Sequence, residues 1–143
     1  MAKPKFDPNR LSFQACVARI ERAVKSAGLK TKGRILTSKD DGVPEIIGRA
    51  LKITNVPKGF VKWQLPLYIK DPTHLFVSVA EPGAKAPVHS HKDGDGIRFI
   101  AGGSIRYKGK ELTAGDWMFI PAGAKYSFET GPVGAVMFYC YQC

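Results

Sequence analysis

The chain is short of cysteine, histidine and acids, and each shortage excludes something. Three cysteines in 143 residues are an odd number and make no disulfide framework, so stability has to come from a packed core. Cys140 and Cys143 form a CYQC pair, but redox CxxC pairs sit at helix N-termini, where the dipole lowers a thiol pKa, and this one closes a β-like run. No apolar run approaches the ~20 residues that a transmembrane helix requires, and the leading MAKPKFDPNR lacks the apolar stretch of a signal peptide. A soluble, cytoplasmic protein with no membrane partner is expected. Acids number 12 against 22 Lys and Arg, a formal charge of +10, which favours a small anionic ligand. Much of the excess lies in the first third, at Lys25, Lys30, Lys32 and Arg34. It lacks the aromatic-plus-basic pattern of nucleic-acid readers, and no nucleic-acid partner is expected.

What is present divides the chain into two textures within one domain-sized length. Residues 1–33 read as a polar arm followed by a helix. Phe13, Val17, Ile20, Val24 and Ala27 recur at spacings of four and three, which predicts one buried helical stripe. Asp7 with Pro8, or Ser12, opens this helix and Gly28 ends it. From 34 to 143 the chain breaks into short β-like runs bounded by Gly, Pro and Asp, such as HLFVSVA, GIRFIA, SIRYKG, WMFIPA and GAVMFYCYQ. Evenly spaced short strands predict a barrel or sandwich. The pair Gly102–Gly103 suits a two-residue hairpin turn, and Gly115–Asp116 and Pro121–Gly123 mark further turns. Residues 39–72 are too rich in Gly and Pro for a long element; short strands and one helical turn after Pro44 are expected.

The chemistry concentrates in PVHSHKDGDG at 87–96. Residues two apart on a strand share a face, so His89 and His91 project together and can converge on one ion. Asp95, at the start of the next strand, would bring a carboxylate to the same point. Two imidazoles and a carboxylate leave positions open for substrate or O₂ and suit Fe(II), Mn(II), Ni(II) or Zn(II).

Residues 83–102 resemble the first motif of the cupins, in which Gly, HxH, an acid and Gly follow at fixed spacing: Gly83, His89, His91, Asp95 and Gly102, with aspartate where glutamate is usual. Gly115, Pro121 and Gly123 are similar to the second motif, whose histidine falls on Tyr126 and whose asparagine falls on Thr130. The resemblance covers about half the chain, residues 73–142. It implies an all-β fold, a double-stranded β-helix or RmlC-like jelly-roll barrel with the N-terminal helix packed outside, and often a homodimer. It also implies a divalent transition metal inside the barrel, held here by His89, His91 and Asp95, and a dioxygenase, lyase, isomerase or decarboxylase activity. A neutral phenol is a poor ligand near pH 7, so Tyr126 would stand beside the metal as hydrogen-bond donor or catalytic acid/base. Two alternatives stay open: His74 moves in as a replacement ligand, or the site holds no metal and the pocket is a binding or sensor module.

Alternation counted from Asp95 turns Ile97, Phe99 and Ala101 inward and Arg98 outward. Tyr126 and Phe128 share the interior. On the last strand Met137 and Tyr139 are candidates to line the pocket, and the alternate set, Val136, Phe138 and Cys140, is apolar enough for burial too.

Overall fold

The structure is a computed structural model that describes residues 11–54, 56, 58, 60–69, 73–92 and 94–142, with Thr73 and Gln142 through their backbone alone. In chain order the elements are α1 (Phe13–Ala27), β1 (Leu36–Thr37), α2 (Val43–Gly48), β2 (Lys52–Ile53), β3 (Lys62–Trp63), β4 (Thr73–Ala80), β5 (Lys85–His89), β6 (Gly96–Tyr107), β7 (Lys110–Thr113), β8 (Trp117–Ile120) and β9 (Tyr126–Gln142). They form two compact units. Residues up to Lys30 group with Asp41–Tyr68, and Thr31–Asp40 with Ile69–Cys143.

In the first unit Ser12 opens α1, its Oγ accepting from the Ala15 amide at 3.1 Å, and Gly28 closes it at φ 65°. The start at Asp7 and Pro8 lies outside the described residues. Ile20 and Ala23 are buried against Ile46 and Leu51, with Val24, Leu29 and Tyr68 packed around them. The expected stripe is thus covered only in its middle, because α2 is six residues long. Phe13 stays 51 % exposed, edge-on to Tyr68. Residues 41–68 supply α2, which carries Pro44 in its first turn, and the short antiparallel pair β2–β3.

The second unit is an antiparallel sheet in the order β1-β8-β6-β9-β4, with β5 also on β9 and β7 also on β6. Two long strands, β6 of 12 residues and β9 of 17, carry this arrangement. The first half of β9 pairs with β5 and the second with β4, and β6 runs along both. This is the all-β, double-stranded β-helix architecture expected. Its core gathers Ile100, Ile105, Leu112, Met118, Ile120, Tyr126, Met137 and Tyr139.

Three expectations are corrected. Gly102–Gly103 is no hairpin turn: β6 continues through it, and the register against β9 shifts on either side. Gly103 has φ 66°, and a Cβ there would collide with the carbonyl oxygen of Gly134. The pair is a bulge where two backbones cross closely, a second use for glycine beside the tight turn. The facing of β6 also differs from alternation. Arg98 and Ile100 lie opposite Tyr139 and Met137 and are 8 % and 2 % exposed; Ile97 is buried too, at 7 %, and Ala101 is exposed. Asp95 precedes β6, so its side does not carry into the strand. Finally, the second apolar set of β9 is open, with Val136 37 % and Phe138 44 % exposed.

Candidate functional site

His89 ends β5, directly opposite Tyr126 at the start of β9, and their rings lie 4.4 Å apart. His91 follows in the loop. Its ring is 5.1 Å from that of His89, perpendicular to it, and its Nε2 is 3.2 Å from Tyr126 Oη. The two imidazoles lie together, one at the end of β5 and one in the loop after it, with the phenol beside them. The loop is fixed by the turn after β8, where the Gly123 amide donates to His91 O at 2.8 Å and the Ala122 amide donates to Asp95 Oδ1 at 2.9 Å. Asp95 thus spends one carboxylate oxygen on the turn. His74 is exposed, opposite Tyr141, its ring 6.2 Å from Phe76. Among the described residues no three His, Cys, Asp or Glu side chains gather closely enough to hold a metal ion. Thr130, at the expected asparagine position, ties the loop after β4, donating to Glu81 O at 2.5 Å and accepting from the Ala84 amide at 2.8 Å.

Reasoning from the sequence missed Arg98. Its guanidinium lies 4.5 Å from the Tyr139 ring centroid and 5.0 Å from that of Phe128, and its Nη2 donates to Tyr126 Oη at 3.3 Å. Among the described residues Nη1 reaches only the Met137 sulfur at 3.9 Å, and Nε has no hydrogen-bond partner. None of the ion pairs among the described residues includes it. Two cation–π contacts return about 2 kcal/mol each when desolvated, whereas removing an ion from water costs several. Among the described residues this buried guanidinium has aromatic, hydroxyl and sulfur neighbours and no carboxylate. One charge inside the otherwise apolar GIRFIA run was the available signal.

The neighbouring groups respond to this setting. Burial, then His89, then the Arg98 cation lower the pKa of His91, keeping it neutral to lower pH than an ordinary histidine. Burial and the adjacent Tyr126 push the Tyr139 phenol well above its usual range, so it stays protonated. Tyr141 stacks on Tyr139 at 5.9 Å and lies 5.1 Å from the His91 ring. The result is an aromatic wall in which His91 Nε2 and Arg98 Nη2 both meet Tyr126 Oη.

No protein-family model and no curated protein matches the chain. Several solved structures do. A cupin protein from Bacteroides fragilis is 31 % identical over 55 % of this chain and 68 % of its own, with a TM-score of 0.42. An RmlC-like cupin from Shewanella frigidimarina is 23 % identical over 48 % of this chain and 64 % of its own, TM-score 0.43. A protein of unknown function with a cupin-like fold from Ralstonia eutropha is 21 % identical over 50 % and 47 %, TM-score 0.45. The chain spans about half the length of this last one. Among the described residues no helix is long and apolar enough to cross a membrane.

Proposed function

The chain is a cupin-family double-stranded β-helix protein, and from that premise we propose that its barrel interior binds a small molecule against His89, His91, Tyr126 and Arg98. The observation that carries this is the meeting of His91 Nε2 and Arg98 Nη2 at Tyr126 Oη, 3.2 and 3.3 Å away. A core built for stability alone would place apolar side chains here, because buried polar groups must each find a partner. Donors and acceptors set in an aromatic wall are the usual furniture of a ligand site. The test is a screen of small-molecule pools followed by histidine side-chain NMR. Binders are expected to move the His89 and His91 resonances of the parent and to lose affinity in Tyr126→Phe. If no pool moves them, the reading fails.

A second reading is favoured by the 5.1 Å approach of the two imidazole rings. His89 and His91 would hold a divalent transition metal, Fe, Mn, Ni or Zn. Such an ion supplies Lewis acidity or an O₂ site, which dioxygenase, lyase, isomerase or decarboxylase chemistry requires. The residues fit it incompletely: two neutral donors, a phenol and a nearby guanidinium provide no negative charge unless Asp95 leaves its turn. In this reading Tyr126 gives or takes a proton, and Arg98 orients the substrate. Elemental analysis of untagged protein, purified without chelator, decides it. One equivalent in the parent and none in His89→Ala/His91→Ala supports the metal; none in either, even after reconstitution, removes it.

The partner we propose for the open side of the β4–β9 pair is a second copy of the chain. Leu75, Val77 and Val79 of β4 are 68, 62 and 78 % exposed there, beside Val136 and Phe138, and β4 is the last strand of the sheet path. These side chains expose several hundred Å² together, on the order of the ~800 Å² each partner contributes to a standard interface. An eight-residue edge strand can pair with its own copy about a two-fold axis.

A further inference from the structure

We infer that the small molecule bound in the barrel carries a carboxylate, taken by Arg98 through its Nε and its guanidinium edge. The inference rests on the binding reading above and names the ligand class. Arg98 is more than nine-tenths buried. Among the described residues its Nε has no hydrogen-bond partner, and no carboxylate pairs with it. Both aromatic contacts, with Tyr139 and Phe128, engage ring faces and leave donors at the edge of the guanidinium plane. That edge is a fork whose spacing matches the two oxygens of a carboxylate.

The charge count selects the class. One guanidinium is buried here, and none of the ion pairs among the described residues includes it. A monoanion cancels this charge. A phosphate dianion would leave a negative charge buried in the same place. The Tyr126 hydroxyl, already 3.3 Å from Nη2, is placed to donate to the same carboxylate. The rest of the ligand would face the aromatic rings of Phe128, Tyr139 and Tyr141.

The test compares acetate, butyrate and benzoate with acetamide, butyramide and benzamide, and with inorganic phosphate. Ionic strength is held constant with chloride, because a chain of charge +10 attracts any anion. Thermal melting gives the affinity and histidine side-chain NMR gives the place. At least one carboxylate is expected to raise Tm saturably and to shift the His89 and His91 resonances, with its amide binding at least tenfold more weakly. Arg98→Met should lose that response while its ligand-free Tm stays at or above that of the parent, since a buried charge that no described carboxylate pairs has been removed. Arg98→Lys keeps the charge and loses the fork, and a tenfold or greater loss of affinity is expected.

Amides that shift the histidines as well as the acids do would overturn the carboxylate and leave the pocket. Phosphate binding in place of every carboxylate overturns the class. A carboxylate response that survives in Arg98→Lys or Arg98→Met at parental strength removes Arg98 from the site. If the ligand-free Tm of Arg98→Met falls and the response persists, Arg98 is a structural clamp for Phe128 and Tyr139. Silence from all seven compounds sinks the carboxylate inference, and the pool screen then judges the pocket by itself.

Discussion

Phe138 and Tyr139 are neighbours on β9, and the sheet treats them oppositely. Tyr139 is 8 % exposed, beside Met137 and a guanidinium that no carboxylate among the described residues pairs, whereas Phe138 is 44 % exposed and lies on the side of Leu75, Val77 and Val79. Hydrophobic burial alone would arrange the two sides the other way, with the charge outside and the valines inside. The inner side keeps polar groups that a ligand can satisfy, and the outer side keeps apolar surface that a second copy can cover. Under the reading proposed above, each side takes a partner, and the two differ in kind.

The two sides exchange neighbours where β6 and β9 cross at Gly103 and Gly134, so the harshest way to break the contrast is there. Gly103→Ala places a Cβ against the Gly134 carbonyl oxygen at a backbone angle of φ 66°. Strain at a left-handed position costs about 1–3 kcal/mol, and the collision adds to it. A loss of at least ~3 kcal/mol in urea denaturation is expected. A cost below ~1 kcal/mol would mean that the crossing is soft and that the bulge does not hold the register.

Paired truncations measure the contrast directly. Ile100→Ala removes a side chain 2 % exposed in the core and should cost about 2–5 kcal/mol. Val79→Ala removes one 78 % exposed and should stay within about 0.5 kcal/mol at concentrations where the protein is monomeric. Equal costs would show that the β4 side is covered within the monomer. Val77→Lys takes the same question to assembly. Sedimentation of the parent is expected to give a dimer and that of the variant a folded monomer, and a monomeric parent ends the proposal of a second copy.

How much of this was legible follows from what each local rule needs to know. The HxH pair was readable because one residue separates the two histidines, and the structure does set His89 and His91 together, at the end of β5 and in the loop after it. The Gly115–Asp116 turn was readable because Asp116 binds the Thr113 amide three residues back, a purely local bond. Arg98 was not, because alternation cannot be counted across the loop that Asp95 occupies, and GIRFIA is apolar on both sides of its single charge. Gly102–Gly103 was not, because a hairpin and a bulge ask the same backbone freedom of glycine. Only the length of the pairing with β9 separates them. The role of residues 41–68 depends on Ile46 and Leu51 meeting Ile20 and Ala23, contacts that no short window contains.

The smallest expected effect is also the most specific to the inner side. His91 is held below its ordinary pKa by burial first, by His89 second and by Arg98 third. The folded state therefore binds fewer protons on His91 than the unfolded state does. The resulting stability is full above about pH 6.5, the unfolded value, and is lost as pH falls through the folded one. Proton NMR titration should place the His91 midpoint below 6.5. Arg98→Met removes the third cause and should move that midpoint upward by a fraction of a unit, because burial and His89 remain. Val77→Lys, on the other side of the sheet, should leave it in place. If the midpoint follows Val77→Lys and ignores Arg98→Met, the positive field comes from the protein's general charge, and Arg98 is not the cation that the imidazole senses.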